Sequence, residues 1–106
     1  MIMKKSGGKL RGVRIFGHAN AAAYGEDIVC AAVSVLGQTM LLGIADQLGR
    51  EIPYEMSEGK LSFDLPEDLK GEESIRAEAL MQTLCLGIEN LQQSYRKYIK
   101  ITKEEV

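Results

Sequence analysis

The chain has 106 residues, and 13 Lys and Arg side chains against 15 Asp and Glu give it a formal net charge of −2. This length predicts one domain over residues 1–106, and the lack of a basic excess argues against nucleic acid as the main ligand. Hydrophobic residues make up 45% and charged residues 26%, which is typical of a soluble folded protein and excludes a disordered chain.

The cysteines and the single histidine exclude several kinds of site. Cys30 and Cys85 are too few for a disulfide framework, so we expect reduced thiols in a cytoplasmic protein. These two cysteines and the lone His18 lack any paired-ligand spacing, which argues against zinc, and we expect no metal and no cofactor. No apolar run follows Lys4 and Lys5, so a secretory signal is not expected.

The first third of the chain predicts a β-hairpin and a loop. Residues 1–5 are short and apolar enough for a strand, and the Ser-Gly-Gly sequence at 6–8 is typical of a turn. Residues 9–16 alternate in part between apolar and polar side chains, which favours a second strand. Residues 17–26 are rich in small side chains and predict a loop.

A long helix is predicted over residues 28–48, with Asp27 as its N-cap and Gly49 as its stop. Apolar residues occur on nearly every face, which predicts a buried helix rather than an amphipathic one. The apolar stretch 28–45 contains polar and small residues, and we take it as too short and too polar to span a membrane. Close approach of other elements is expected at four small residues, Ala31, Ala32, Gly37 and Gly43.

A second hairpin shows the clearest alternation in the chain. Residues 51–56 and 60–65 predict its strands, and the second of them places three apolar side chains on one face, those of Leu61, Phe63 and Leu65. Pro53 cannot donate a hydrogen bond to a neighbouring strand, so the first of these strands is expected at a sheet edge.

The last third predicts a polar connection over 66–73, a helix over 74–95 capped by Ser74, and a final strand over 98–102. The helix carries a predicted apolar stripe of Ile75, Ala79, Leu80, Leu84, Ile88, Leu91 and Tyr95. The resulting order ββαββαβ predicts an α+β fold, a mostly antiparallel sheet with two long helices packed on it.

Cys30 is the first candidate for chemistry. With Asp27 as N-cap it falls in the first turn of the helix, where the helix dipole and free backbone N–H groups favour a thiolate. A cysteine beside a histidine is the minimal activated nucleophile, which makes His18 its candidate base. Free N–H groups at Ile28, Val29 and Cys30 are candidates for stabilising an oxyanion.

Other features oppose this interpretation. Glu26 and Asp27 place negative charge near the thiol, and a free cysteine is most often a small buried hydrophobe. From the residues alone, catalytic and structural roles of Cys30 stay open. Cys85 lies within the second helix among apolar residues and is expected to be inert. Ser34, one turn after Cys30, either lines the site or, as we expect, bonds back to a helix carbonyl.

The stretch from residue 17 to residue 34 reads GHANAAAYGEDIVCAAVS. It resembles the Prp family of ribosomal-processing cysteine proteases, whose pattern is Gly-His-Ala, a variable loop, Tyr-Gly-x-Asp-Ile/Val-Val-Cys-Ala and a Ser four residues after the Cys. The resemblance extends along the whole chain, with the two hairpins, two helices and terminal strand in the same order. Only the first hairpin, with residues 1–5 before its turn, is shorter than usual.

This resemblance implies a cytoplasmic, homodimeric endopeptidase without cofactor, with His18 and Cys30 as its catalytic residues. Its substrate would be a ribosomal protein precursor, the large-subunit protein known as L twenty-seven, whose N-terminal extension is removed before ribosome assembly. Family members cleave after aromatic residues, which implies an apolar groove near Cys30. The loop between His18 and Cys30, including Tyr24 and Gly25, is expected to order around substrate. Neither a membrane nor nucleic acid is expected as a partner.

Two alternatives of other classes remain at this point. One is a non-enzymatic ribosome-associated binding module, in which His18 and Cys30 are structural. The other is a thiol redox sensor, which is disfavoured because Cys30 has no obvious resolving partner.

Overall fold

The computed structural model describes residues 1–16, 24–57, 60–96 and 99–106, and the elements in these ranges follow the predicted order ββαββαβ. The strands are β1 (Ile2–Ser6), β2 (Lys9–Phe16), β3 (Tyr54–Ser57), β4 (Lys60–Asp64) and β5 (Thr102–Glu105). The helices are α1 (Tyr24–Leu48) and α2 (Glu72–Ser94).

The described strands form one sheet in the order β3-β4-β2-β1-β5. Every neighbouring pair is antiparallel except β1 and β5, which run parallel. Both helices pack against β2 and against each other, so they cover one face of the sheet. The predicted α+β class and mostly antiparallel sheet are therefore confirmed, and β3 lies at a sheet edge as Pro53 indicated.

A β-bulge explains why the alternation in β2 is only partial. Lys4 is paired with Gly12 but Lys5 with Leu10, so Arg11 is an extra residue opposite β1. A bulge shifts the alternation of side chains by one residue. Leu10 is thereby buried on the same side as Val13, although the two are an odd number of residues apart.

α1 approaches the sheet closely at Gly37. A Cβ atom at this position would lie 2.6 Å from Ile15 Cδ1 and 2.9 Å from Leu61 Cδ2. Both contacting atoms are ends of buried side chains, and at these distances Ile15 and Leu61 must shift to admit a methyl group. The predicted close approach is thus confirmed at Gly37, whereas a Cβ at Gly43 would meet Leu80 Cδ1 only at 3.9 Å.

These two glycines provide a matched test of packing. Gly43→Ala is expected to raise the free energy of unfolding by roughly 0.5–1 kcal/mol, because alanine is the better helix former and space is available. Gly37→Ala gains the same propensity but overpacks the core, which costs about 1–3 kcal/mol. Urea denaturation of both variants checks this, and equal unfolding free energies would contradict the close approach of α1 to the sheet.

Both helices begin earlier than predicted. α1 begins at Tyr24, so Asp27 lies within its first turn and is not the N-cap, and residues 24–26 are not loop. α2 begins at Glu72 after Gly71, which has φ 59° and provides no side-chain cap, so Ser74 is likewise inside the helix. Glu72 and Glu73 place negative charge at this N-terminus, which favours a helix there without a capping side chain.

The buried face of α2 also differs from the predicted stripe. Leu84 and Ile88 are buried as expected, but Ile75 is 69% exposed and Tyr95 is 38% exposed. The helix is rotated so that the core receives Ala77, Met81, Leu84, Cys85 and Ile88. A helix with apolar residues on several faces does not itself specify which of them faces the sheet.

Both edge strands begin later than predicted. β5 is Thr102–Glu105 rather than 98–102, and β3 is Tyr54–Ser57 rather than 51–56. The charged residues of β5 are accommodated because it is an edge strand, where Lys4 Nζ on β1 lies 2.7 Å from Glu104 Oε1. The apolar Ile99 and Ile52 pack into the core just before these strands instead of within them.

α1 is not buried all round, contrary to the prediction. It packs on α2 and the sheet, yet Ile28, Val35 and Leu42 are 47%, 62% and 71% exposed. The expectation that this segment is too short and too polar for a membrane span is also wrong. By length and composition alone, the helical segment Ile28–Leu48 could cross a membrane. Its contacts with α2, β2 and β4 are those of a helix in a folded domain.

Candidate active site

Cys30 lies on the wall of a cavity of about 310 Å³. The thiol-bearing residue is half-buried, so it is neither sealed in the core nor free on the surface. The cavity is bounded by α1, the end of β2 and the β3–β4 hairpin, and its lining is largely apolar, including Ile15, Phe16, Val33, Met56, Leu61 and Ile99. An apolar groove next to Cys30 is what the family resemblance led us to expect.

Three polar side chains of α1 line this cavity in a row. Cys30, Ser34 and Gln38 are spaced four residues apart, which places them on one face of the helix in consecutive turns. Within the described residues, Thr83 bonds back to the carbonyl of Ala79 at 2.8 Å, but Ser34 makes no such bond. The expectation that Ser34 bonds back to its helix is wrong, and Ser34 is a cavity residue.

The early start of α1 changes the chemistry available at its N-terminus. Cys30 is the seventh residue of the helix, beyond the first turn in which backbone N–H groups lack helical partners. The N–H groups of Ile28, Val29 and Cys30 are therefore bonded within the helix. The predictions that they form an oxyanion hole and that the helix dipole acts on Cys30 are wrong, because that effect falls off within the first turn.

The charged side chains that line the cavity within the described residues are both lysines, Lys60 and Lys100. Lys60 Nζ also lies 3.3 Å from Glu55 Oε2 on the neighbouring strand β3.

Cys85 differs from Cys30 in its burial and in its position in the fold. It is buried in the core cluster, 5% exposed, and does not line the cavity. Burial raises the pKa of the Cys85 thiol, and the negative charge of Glu89 adds to this effect. The predicted packing of Cys85 is confirmed, and its raised pKa agrees with the expected low reactivity.

The other predicted residues of the site lie partly outside the described structure. His18 and the rest of 17–23 are outside the described residues, as are residues 58–59 between the strands of the second hairpin. Tyr24 and Gly25 belong to the first turn of α1 rather than to a loop.

Sequence reasoning missed Gln38, Lys60 and Lys100. The spacing of Gln38 from Cys30, eight residues on one helix, is a signal that was available in the sequence. The two lysines come from separate elements, and only the folded chain brings them to the cavity.

Comparison with known proteins gives a consistent result. Residues 1–100 match the family described as cysteine protease Prp. The chain is 28% identical over 88 residues to the ribosomal processing cysteine protease Prp of Bacillus subtilis strain 168, which covers 81% of this chain and 79% of the relative. A Streptococcus mutans crystal structure is similar with a TM-score of 0.84 and 26% identity, over 99% of this chain and 92% of that chain.

The protease Prp of S. aureus, crystallised with a substrate peptide, is also similar, with a TM-score of 0.78 and 18% identity over 97% of this chain and 98% of that one. At this identity the likeness shows a shared fold. The match over residues 1–100, together with the half-buried cysteine in its apolar cavity, shows that this chain belongs to the Prp family of ribosomal-processing cysteine proteases.

Proposed function

We propose that this protease removes the N-terminal extension of the large-subunit ribosomal protein L twenty-seven before ribosome assembly, and that it acts in the cytoplasm. The observation that carries the proposal is the position of Cys30, a free thiol on the wall of an apolar cavity. The B. subtilis relative, named for ribosomal processing, supports the substrate class. The second thiol, Cys85, is also free, as expected in a reducing compartment.

In the proposed mechanism, His18 and Cys30 act as a dyad. His18 takes the thiol proton, and the Cys30 thiolate attacks the carbonyl carbon of the scissile peptide bond. The tetrahedral intermediate collapses as His18 gives its proton to the leaving amine, which leaves a thioester on Cys30. Water, deprotonated by His18, then hydrolyses the thioester, and proton return restores the thiol.

The shape of the cavity supports cleavage after an aromatic residue. A volume of about 310 Å³ with mostly apolar walls is enough to bury an aromatic side chain. Such a ring gains free energy of transfer from water when it is buried. We therefore assign the residue that precedes the scissile bond to this cavity.

The direct test is incubation of the protein with a peptide that spans the junction between the extension and the mature ribosomal protein. Mass spectrometry should show two products, cut at one bond after an aromatic residue. A scrambled peptide of the same composition is the control and should stay intact. If both peptides stay intact although thiol labelling shows that Cys30 is reactive, the chain does not have the proposed substrate.

A binding module without enzymatic activity makes a different prediction for the two thiols. In the protease, Cys30 should react with iodoacetamide at neutral pH at least about tenfold faster than Cys85, since exposure and an activating base both favour it. The raised pKa of Cys85 leaves it less thiolate at that pH. Peptide mapping of the labelled sites measures both rates, and slow, equal labelling would favour the binding module.

We also propose that a second copy of this chain packs on the exposed face of α1. Ile28, Val35 and Leu42 recur every seven residues and are all largely exposed. Residues seven apart lie on the same face of an α-helix, so these three side chains form one apolar strip. A large exposed apolar patch on a folded domain is typical of an interface with another molecule.

Light scattering at micromolar concentration should therefore give the mass of a homodimer. Val35→Glu places a charge in the middle of the repeat and should give monomers, because a buried unpaired charge is strongly unfavourable. Leu86→Glu, at an exposed apolar residue on α2, is the matched control and should remain dimeric. A monomeric parent protein would overturn this assembly.

A further inference from the structure

We propose that the substrate binds beyond the cavity as an added β-strand on the free edge of β3, with alternate side chains in a groove between β3 and α1. This inference rests on the proposed function, because it extends the path of a peptide cleaved at Cys30. It adds to the cavity a second binding stretch that recognises the backbone of the peptide and apolar side chains at every second position.

The groove lies next to the cavity that contains Cys30. Its lining includes Leu41, Ala45, Pro53 and Tyr54, and it is mostly apolar. Gln38 and Met56 line both the groove and the cavity. A peptide held at Cys30 therefore reaches the groove by passing Gln38 and Met56.

β3 offers its backbone as the wall of this groove. It pairs with β4 on one side, and it ends the strand order, so within the described residues its other side pairs with no strand. Every second N–H and C=O group of an edge strand points away from its sheet and is available to an added strand. Binding of peptides by strand addition uses these groups for affinity.

Two side chains of β3 are apolar and exposed, which favours contact with apolar side chains of a bound peptide over contact with water. Tyr54 and Met56 are 56% and 49% exposed, although their cross-strand partners Phe63 and Leu61 are buried. Cross-strand partners share one face of a sheet, so the apolar face extends past the cover of the helices at this edge. The charged side chain of β3, that of Glu55, pairs with Lys60 Nζ at 3.3 Å.

The length of α1 between Cys30 and Gln38 sets the register of the peptide. Eight residues of α-helix rise about 12 Å. An extended peptide covers that distance in three or four residues, at about 3.3 Å per residue. On one side of the scissile bond, the peptide residues from about the fourth onward therefore lie along β3, with alternate side chains in the groove.

The test is a scan of N-methylated substrate peptides. Single N-methyl groups are placed at each position from the third to the seventh residue on both sides of the scissile bond, leaving the reacting bond itself unchanged. On one side, kcat/KM should fall about 3- to 10-fold at every second position and little at the positions between, because alternate N–H groups face β3. Uniform effects, or none on either side, would overturn strand addition.

A variant of the protein tests the same stretch independently. Tyr54 lines the groove but not the cavity of Cys30. Tyr54→Asp should raise KM for the long peptide about tenfold and leave kcat within about twofold, and it should leave a peptide truncated to three residues on each side unaffected. Leu86→Asp on α2 is the matched control. Leu42 belongs both to the groove and to the exposed face of α1. A variant at Leu42 would therefore not separate peptide binding from dimer formation.

These outcomes separate the inference from the function on which it rests. If the unmodified peptide is cleaved after its aromatic residue and the scan shows no alternation, the protease stands and strand addition on β3 is wrong. If the unmodified peptide is not cleaved at all, the proposed function itself fails.

Discussion

Cys30→Ala is expected to abolish peptide cleavage, lowering kcat/KM by about 10⁴-fold or more, because no other group can form the thioester. The fold should be retained. Cys30 is half-buried beside a cavity, so loss of its sulfur should change the free energy of unfolding by no more than about 1 kcal/mol. Peptide kinetics and thermal denaturation of the same preparation measure the two effects separately.

Cys85→Ala is the control for this variant. It should keep kcat/KM within about twofold and instead cost stability, roughly 1–2 kcal/mol, since Cys85 is packed in the core. The two cysteines thus have opposite expected effects on activity and stability. A Cys30→Ala protein that cleaves at the parent rate would end the account of Cys30 as nucleophile.

His18→Ala is expected to lower kcat by about 10²–10⁴-fold, which is typical when a positioned general base is removed. This expectation is strengthened because α1 begins at Tyr24, earlier than predicted. With Cys30 beyond the first helical turn, activation by the helix N-terminus is not available, and the base must supply it. His18→Ala should also lose the acidic limb of the pH–rate profile, which reports the deprotonation of the base.

The pH profile distinguishes loss of the base from damage to the fold. A merely structural effect of His18→Ala would scale the whole profile without changing its shape. Imidazole added to the buffer should restore part of the activity of His18→Ala and none of the activity of Cys30→Ala. Parent-like cleavage by His18→Ala would mean that another group takes the thiol proton.

The order of the elements was predictable because local patterns determine it. Leu61 and Phe63 alternate with polar residues and are buried on the helix-covered face of the sheet. Pro53 indicated the edge position of β3. The bulge at Arg11 was not predictable, because an extra residue in one strand becomes visible only against its partner.

The helix ends and buried faces could not be read correctly from the sequence. α2 begins after Gly71 without a capping side chain, whereas Ser74 has the better capping chemistry. α1 is apolar on most faces, and its sequence alone does not say that Val35 and Leu42 remain exposed while Ile44 is buried. Contacts with the rest of the folded chain determine where these helices begin and which of their faces are buried.

One part of the candidate site could also be predicted from the sequence, and another part could not. Cys30 was identified by its motif, and its position on a cavity agrees with that identification. The groove along β3 was not foreseen, because Tyr54 and Leu41 meet only when α1 packs across the sheet. The groove meets the cavity at Gln38 and Met56, which belong to two separate elements, α1 and β3.

The central claim is that Cys30 attacks the substrate and carries the acyl group. The most direct measurement is intact-protein mass spectrometry of a single-turnover reaction stopped with acid, followed by mapping of the modified residue. We expect an added mass equal to that of the N-terminal product minus one water, bound to Cys30 as a thioester that hydroxylamine removes. Two results would contradict this claim. One is cleavage of the peptide by the Cys30→Ala variant, which cannot form the thioester, and the other is an acyl adduct mapped to a residue other than Cys30.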